Sequence, residues 1–420
     1  MKPRTRFFVS LSVALAGISA PARAQPPVAP EPTPAAVAPA PTPPVPAAGV
    51  APAAPDKPAA VSVHGYVQPQ LGWRSRPTAL AADRAEYGLL ASRTGLIVSG
   101  EPVRSWSYTL HLSLDARGIS VLTGADLADV NGDGAAENLS TTRRDLLGVF
   151  FEEASVQFRP IEEFAVKVGV FRLPFSLALR RSNVGLMFPE RAGASELFVS
   201  GADRGGIVHG HFLSDRIEVS AGVFNGSSLS LLVDDAQARG LLFSGRVDAA
   251  PLGRLPSSEY DFGRGRFRFA LGAGALYRRA TLYTLSAYEL FEQDDTRTSA
   301  SLRVAFAGLY LQAEVLRRLA TDAISSRPSR STGGYGQASY YVPLPAGLGI
   351  APIARLTGST VEEFTKPYSI VSYDLGAAFF PRADGERPEA VRVIAQYTSE
   401  RRSPEGEAAR AISGQVQILF

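Results

Sequence analysis

From Val61 to its last residue, Phe420, the chain repeats short runs in which apolar residues alternate with polar or small ones. The run WSYTLHLSLD, from Trp106 to Asp115, has an aromatic residue or a leucine at every second position and a polar residue between. Successive side chains of a β-strand point to opposite faces, so this period of two predicts strands with one apolar and one polar face. Because the pattern recurs with no helical segments between the runs, the chain is predicted to be an antiparallel all-β protein.

About sixteen such runs can be counted, and the segments that join them alternate between tight turns and longer loops. The longer loops are residues 118–146, 172–203, 226–238, 280–296 and 319–332. One further long segment, residues 250–265, falls where a short turn is expected. Short turns at one end, long loops at the other and an even strand number are typical of a bacterial outer-membrane β-barrel. A soluble β-sandwich gives no reason for loop lengths to segregate in this way.

The N-terminal residues predict export. Lys2, Arg4 and Arg6 precede an apolar run that ends in small residues and an Ala-x-Ala site, so residues 1–24 are predicted to be a secretory signal peptide. Residues 25–60 consist almost entirely of Pro, Ala, Val and Thr. Such a segment cannot bury apolar area and favours extended polyproline II, which predicts a disordered periplasmic linker before a barrel domain of residues 61–420.

The C-terminal run AISGQVQILF places an apolar row on the face of the terminal Phe420. A closing strand of this kind resembles the assembly signal of outer-membrane barrels, so the barrel-assembly machinery is a predicted partner. The lipids of that membrane, lipopolysaccharide included, are the predicted surroundings. The chain is therefore expected in the outer membrane of a Gram-negative bacterium.

Composition narrows the chemistry further. The chain has no cysteine, which excludes disulfides and thiol catalysis. Its formal net charge of +3 is too small to predict nucleic-acid binding. Lysine occurs only at positions 2, 57, 167 and 366, so almost every basic group is a guanidinium, whose planar fork suits oxyanions. Nothing in the sequence calls for a cofactor.

In a closed barrel the polar strand faces must point into the lumen. The sequence GRGRFRF is predicted to place Arg264, Arg266 and Arg268 as a ladder on one lumen-facing strand face. Arginines along a lumen give anions successive sites, each weak enough to leave. The alternative is that lumen arginines pair with interior carboxylates and only hold the wall together.

Residues 172–203 interrupt the alternation between two strand-like runs, FAVKVGVF and RGGIVHGHF. A long irregular segment in a compact domain is normally functional or disordered. Because this one is rich in Phe, Leu and Met, we expect it to pack inside the barrel as a constriction loop. Its basic residues, together with one lysine on the strand before it and one arginine at the start of the strand after it, are the predicted ion path: Lys167, Arg172, Arg180, Arg181, Arg191 and Arg204.

Four motifs in order, VKVGVFRLPFSL, MFPERA, GADRGGIVHGHF and AGVFNG, together with the earlier SRTGLIVSGEPVRSWSYTLHLSLD, resemble the phosphate-selective porin O/P family over most of residues 64–226. The resemblance implies a homotrimer of sixteen-stranded barrels that conducts small inorganic anions through a basic constriction for phosphate or polyphosphate. It also assigns positions: Arg172, Pro174, Phe175 and Ser176 start the constriction loop, Glu190 and Arg191 lie in it, and Arg204 starts the returning strand. The shortage of lysine departs from the family and favours anion preference over phosphate specificity.

The leading hypothesis is thus a passive, water-filled channel for small anions and not an enzyme. The alternatives are a barrel enzyme, which would need a Ser–His or Asp–His constellation at the outer rim, and a structural barrel that tethers the envelope through residues 25–60. Two weaker signals concern metals. Asp129, Asn131 and Asp133 resemble half of a calcium loop but lack its bidentate Glu, and His209 and His211 lie two apart on one strand, so no metal site is assigned.

Overall fold

A computed structural model gives the fold of residues 61–78, 81–115, 148–198, 201–226, 238–284, 289–321, 328–362, 367–383, 387–404, 406 and 408–420. The predicted signal peptide (1–24), the predicted linker (25–60) and the calcium candidates Asp129, Asn131 and Asp133 lie outside these described residues. Within them, no helix has the length and apolar character needed to cross a bilayer.

The described chain is almost entirely β-strand. Its strands are β1 (Val61–Thr78), β2 (Ala81–Val103), β3 (Trp106–Asp115), β4 (Gly148–Ile161), β5 (Phe164–Arg172), β6 (Ala202–Phe212), β7 (Ile217–Phe224), β8 (Ala238–Arg239), β9 (Leu242–Ala249), β10 (Arg268–Thr284), β11 (Glu289–Phe306), β12 (Leu309–Thr321), β13 (Pro328–Tyr340), β14 (Val342–Leu344), β15 (Leu348–Val361), β16 (Tyr368–Phe380), β17 (Val391–Ser403) and β18 (Ala408–Leu419).

All these strands form one antiparallel sheet that closes on itself, because β1 pairs with both β2 and β18. The short β8 pairs with β10 beyond the end of β9, and the short β14 pairs with β15 beyond the end of β13. Each short strand therefore continues its longer neighbour: β8 continues β9 and β14 continues β13. The barrel wall thus has sixteen strands. This confirms the predicted antiparallel barrel of about sixteen strands.

The alternation along each strand sorts side chains between lipid and lumen. Val315 and Leu356 are 64% and 61% exposed on the outer face, where lipid tails would cover them. Arg392, on the lumen face, is fully buried. A charged side chain is buried without water only when other groups solvate it, so something must fill part of this lumen.

Val61, Phe420 and the tight turns of the described strands lie at one rim, which is the periplasmic rim of an outer-membrane barrel. There Phe420 exchanges two backbone hydrogen bonds with Gly65, with N···O distances of 2.8 and 3.0 Å. The connections between β5 and β6 and between β10 and β11 lie at the external rim. The long connection from β9 to β10, residues 250–267, belongs to the periplasmic rim.

The prediction that Arg264, Arg266 and Arg268 form a ladder on one lumen-facing strand is wrong. Strand β10 begins only at Arg268, which shares the lumen face with the buried Ala270. Arg264 lies in a turn with a φ of +44°, and its N–H donates to the carbonyl of Asp261 at 3.1 Å. The glycines on both sides of Arg264 favour a turn over a strand, so Arg264 and Arg266 precede the strand and are exposed.

Candidate functional site

The segment between β5 and β6 folds into the barrel and contains α1 (Leu177–Arg180), a 3₁₀ turn (Asn183–Gly185) and α2 (Gly193–Phe198). We call residues 173–198 the constriction loop. Eleven of its apolar side chains are between 0% and 7% exposed, as the sequence composition predicts for a segment that packs inside. The buried members are Leu173, Phe175, Leu177, Ala178, Leu179, Leu186, Met187, Phe188, Ala192, Ala194 and Phe198.

One carboxylate anchors the first turn of this loop. Glu314, on β12, accepts hydrogen bonds from the N–H of Leu177 at 2.7 Å, the hydroxyl of Ser176 at 2.9 Å and the N–H of Ala178 at 3.3 Å. The hydroxyl of Tyr335 donates to the same carboxylate at 3.3 Å. The first N–H groups of a helix have no partner within it, so Glu314 supplies the acceptors that α1 lacks.

The backbone just before α1 is held by the neighbouring wall. The carbonyl of Phe175 accepts from a guanidinium N–H of Arg246 at 2.9 Å and from the hydroxyl of Ser299 at 3.0 Å. Gly274 makes the contact possible, because a Cβ at that position would lie 2.4 Å from the same carbonyl oxygen. Arg246 is itself neutralised by Asp248, at 2.7 Å.

Lumen arginines from three distant strands hold the middle of the loop. Arg93 donates to the carbonyl of Pro189, Arg355 to that of Glu190 and Arg392 to that of Leu186, at 2.7, 2.7 and 2.6 Å. Backbone carbonyls are natural partners for buried guanidinium groups. These arginines therefore hold the loop in place, a role that differs from both predicted ones, ion binding and pairing that only holds the wall together.

The last helix of the loop packs on β13. A Cβ on Gly333 would lie 2.7 Å from the ring of Phe198, so only glycine lets α2 approach the wall this closely. Arg297 donates to the carbonyl of Phe198 at 2.7 Å and is paired with Asp295 at 2.6 Å. Both ends of the loop are thus fixed to the barrel.

A second segment, the periplasmic connection between β9 and β10, also enters the lumen. We call residues 250–267 the periplasmic insert. Glu259 accepts from the N–H of Met187 at 2.7 Å, and the hydroxyl of Tyr260 donates to the carbonyl of Met187 at 3.0 Å. Burial raises the pKa of Tyr260 to about 12, so its hydroxyl remains a neutral donor. In the sequence, only its unusual length distinguishes this connection from the other periplasmic turns.

The insert and the constriction loop share one apolar cluster at the periplasmic half of the lumen. Phe188 of the loop, Tyr260 of the insert and Phe380 of β16 are each at most 1% exposed in it. The ring centroids of Tyr260 and Phe380 are 5.1 Å apart in an edge-on arrangement. The two segments therefore pack together along the wall formed by β10 to β17.

Two cavities lie beside these segments, one against β3 to β7 and one that also reaches β9 and β11. The first has a volume of about 310 Å³ and is lined by charged and polar groups, among them His111, Glu152, Glu153, Lys167, Arg172, Arg180, His209, His211 and Glu218. The second, of about 140 Å³, lies beside the periplasmic insert and is lined by Arg181, Asp215, Arg216, Glu218, Asp248, Arg254 and Arg303. Both cavities include Glu218 in their walls.

Three predicted ion-path residues line the first cavity, each beside a carboxylate. Lys167 Nζ lies 2.5 Å from a carboxylate oxygen of Glu153. Arg172 pairs with Glu152. Arg180 pairs with two carboxylates, Glu218 and, at 2.7 Å, Asp248. Cations and carboxylates thus alternate around this opening, a balance that sequence reasoning could not foresee because the partners come from different strands.

Arg181 differs from these three. It lines the second cavity and donates to the hydroxyl of Tyr310 at 2.8 Å and to the carbonyl of Ser257. No carboxylate of the described residues lies within ion-pair distance of its guanidinium. The neighbouring Arg303 pairs with Asp248 at 3.6 Å. The same carboxylate also pairs with Arg180 and Arg246.

The remaining two predicted residues lie elsewhere. Arg191 donates to the carbonyls of Ala178 and Arg181, at 3.1 and 2.7 Å, and so braces the loop from within. The placement of Arg204 in the constriction is wrong. Strand β6 starts two residues earlier, at Ala202, and Arg204 is exposed on the same outward face as Val208.

The histidines have ordinary polar partners. His209 lies 3.0 Å from the side-chain oxygen of Gln157, and His111 lies 3.3 Å from the hydroxyl of Tyr66. Across the described ranges, no three His, Cys, Asp or Glu side chains are grouped so that they could hold a metal ion.

A closed sixteen-stranded barrel with an inward-folded loop after its fifth strand, and cavities lined by charged side chains beside that loop, defines an outer-membrane porin. The sequence matches the family described as "Phosphate-selective porin O and P" over residues 86–346, more than half of the chain. The chain therefore belongs to this family, and its place is the Gram-negative outer membrane. The resemblance read from the motifs is confirmed.

Solved structures share the fold at very low sequence identity. The anion-selective porin from Comamonas acidovorans is 11% identical, with a TM-score of 0.56 over 86% of this chain and 100% of that one. OmpT of Vibrio cholerae, in its trimer form, is 10% identical, with a TM-score of 0.51 over 87% and 100%. The channel DcaP of Acinetobacter baumannii is 9% identical, with a TM-score of 0.51 over 86% and 98%. No curated protein sequence matches the chain.

Proposed function

We propose that this porin forms a passive channel that prefers small anions, and that Arg181 and Arg303 set the preference. The supporting observation is the charge balance of the second cavity. Arg181 has no carboxylate partner among the described residues, and Arg303 shares Asp248 with two other arginines. Two guanidinium groups beside the insert therefore keep positive charge available to a passing anion.

Phosphate is the anion that the family description suggests, and paired guanidiniums suit its oxygens. The first cavity argues for a broader preference. There each cation, Lys167, Arg172 and Arg180, already faces a carboxylate, so an incoming anion meets repulsion as well as attraction. We therefore propose a general anion preference in which phosphate, or a chain of phosphates, is one permeant ion.

The test is the reversal potential in planar bilayers under a KCl gradient. The wild type is expected to pass chloride in preference to potassium, and Arg181→Ala/Arg303→Ala is expected to lose most of that preference. Arg401→Gln, which removes one positive charge from the outward face of β17, is the matched control and should behave as the wild type. A cation-selective wild type, or an unchanged double variant, would overturn the proposal. Addition of phosphate as a blocker then measures how tightly that anion binds.

The alternative that this barrel is an enzyme rests on one residue pair. The hydroxyl of Ser62 lies 2.5 Å from Nε2 of His64, at the periplasmic end of β1. No carboxylate of the described residues orients His64, and the pair lies far from the external rim where such barrels bind substrates. The channel is therefore the function that the site supports best.

We also propose the partners that such a channel needs. Three copies are expected to assemble, as in the trimer form of OmpT. The C-terminal strand, whose Phe420 is 69% exposed beside Gly65, supports recognition by the barrel-assembly machinery. Residues 25–60, after removal of the signal peptide 1–24, would span the periplasmic side as a spacer. Conductance and envelope integrity, measured separately on a chain without residues 26–59, would distinguish a channel from a tether.

A further inference from the structure

The outward face of the barrel carries basic residues at one end only. Wherever the described strands turn a basic side chain outward, that residue lies towards the external rim. These residues, all arginines and all exposed, are Arg204, Arg279, Arg317, Arg330, Arg401 and Arg410. Strand alternation alone would spread outward charges over both ends, so the asymmetry points to a difference between the two sides of the membrane.

The height of these arginines matches the external boundary of the apolar band. Tyr340 is 44% exposed at the periplasmic end of β13, and Arg330 lies about ten residues further along the same strand, the length that a tilted strand needs to cross the hydrocarbon layer. On β12, Val315 is 64% exposed in the band and Arg317 comes two positions later on the same face. The arginines are therefore at the level of the lipid head groups of the outer leaflet.

Arg317 and Arg330 form a neighbouring pair. In the register of β12 and β13, Arg317 faces Thr332 and Arg330 faces Leu319, so the two arginines are diagonal neighbours on adjacent strands. Diagonal positions lie roughly 7–8 Å apart at the backbone, within reach of one shared ligand for such long side chains. Neither guanidinium has a hydrogen-bond or ion-pair partner among the described residues, although the backbone N–H of Arg330 donates to the carboxylate of Glu362 at 3.1 Å.

From this placement we propose that Arg317 and Arg330 bind a phosphate group of the lipopolysaccharide in the outer leaflet. A phosphate accepts two parallel N–H bonds from a guanidinium, and two arginines at this distance can hold it from both sides. The acyl chains of the same lipid would cover the exposed Val315 below the pair. The exposed hydroxyl of Thr332, between the arginines, adds a further donor.

The site is separate from the channel, because both arginines are on the outer surface of the wall. It can be tested by native mass spectrometry of the purified porin in detergent, with lipid A as the probe. We expect lipid A adducts on the wild type and roughly tenfold weaker binding by Arg317→Gln/Arg330→Gln. Lipid A stripped of its phosphates should bind the wild type as weakly as intact lipid A binds this variant.

Two further variants sharpen the result. Arg266→Gln removes an exposed arginine at the periplasmic rim and should bind lipid A as the wild type does. Arg317→Lys/Arg330→Lys keeps both charges and should retain part of the binding. Should the double glutamine variant fail to form the heat-modifiable barrel, the single Arg317→Gln variant carries the same expectation with a smaller loss.

Three results would overturn the proposal. One is equal binding of lipid A by the wild type and the glutamine variant. Another is equal binding of intact and phosphate-free lipid A by the wild type. The third is a change in the number of copies per particle with no change in lipid A binding, which would assign the pair to a contact between barrels.

Discussion

Glu314 accepts a hydrogen bond from the backbone N–H of Leu177 at 2.7 Å, and this contact joins the barrel wall to the first helix of the constriction loop. The carboxylate is 1% exposed and also binds Ser176 and Ala178. The pore of this porin is thus shaped by a buried acid that no solute reaches.

We expect Glu314→Ala to loosen the constriction loop. The change leaves two N–H groups of α1 without an acceptor, at a cost of about 3 kcal/mol in unfolding free energy. Single-channel recordings should show larger and noisier openings, because the loop no longer holds one position. Urea unfolding of the barrel measures the stability. Gln312→Ala, on the same strand face but without a contact to the loop backbone, is the control.

Arg180 allows a prediction about selectivity. Its guanidinium pairs with Glu218 and with Asp248, so Arg180→Ala exposes two carboxylates to the open cavities. We expect a larger fall in chloride-over-potassium permeability than Arg181→Ala causes, since Arg181 has no carboxylate to release among the described residues. Reversal potentials of the two single variants compare the effects directly. An equal fall in both would show that the pairs with Glu218 and Asp248 do not govern the ion path.

The periplasmic insert should restrict the pore as strongly as the constriction loop does. Replacing residues 252–265 by a two-residue Asn-Gly turn removes Tyr260 and Glu259, which hold Met187. The space that the insert occupies then becomes open to water, and we expect conductance to rise several-fold. Tyr260→Phe removes only the hydroxyl and should cost about 1 kcal/mol of stability with little change in conductance. An unchanged conductance in the shortened chain would show that ions do not pass this region.

Sequence reasoning located the strands because the alternation is local and nearly continuous. It located the constriction loop because residues 172–203 break the alternation and are apolar. It missed the partners of Lys167 and Arg180, since Glu153 and Glu218 meet them only through the pairing of different strands. Such contacts depend on register, which one sequence does not display.

The errors have equally local causes. Arg204 was assigned to the ion path from its motif, but alternation along β6 places it on the face of Val208 and Phe212, which points outward. Arg264 and Arg266 alternate with phenylalanine and glycine as a strand would, yet the glycines let the chain turn first. The insert was visible only as an unexpected length, because the sequence does not show whether a long turn points into the barrel or away from it.

Gly274 offers a final test of how closely loop and wall must fit. A Cβ there would lie 2.4 Å from the carbonyl of Phe175, which Arg246 and Ser299 hold in place, so the loop must shift to admit even a methyl group. We expect Gly274→Ala to lower stability by about 1–3 kcal/mol, as overpacking does, and to change the conductance. Gly336→Ala is the matched control, because a Cβ on that strand glycine meets no atom within 4 Å. Unfolding midpoints and single-channel currents of the two variants decide the matter: if Gly274→Ala behaves as Gly336→Ala does, the constriction loop is free to move away from the wall, and its contacts with Arg246 and Ser299 do not fix the pore.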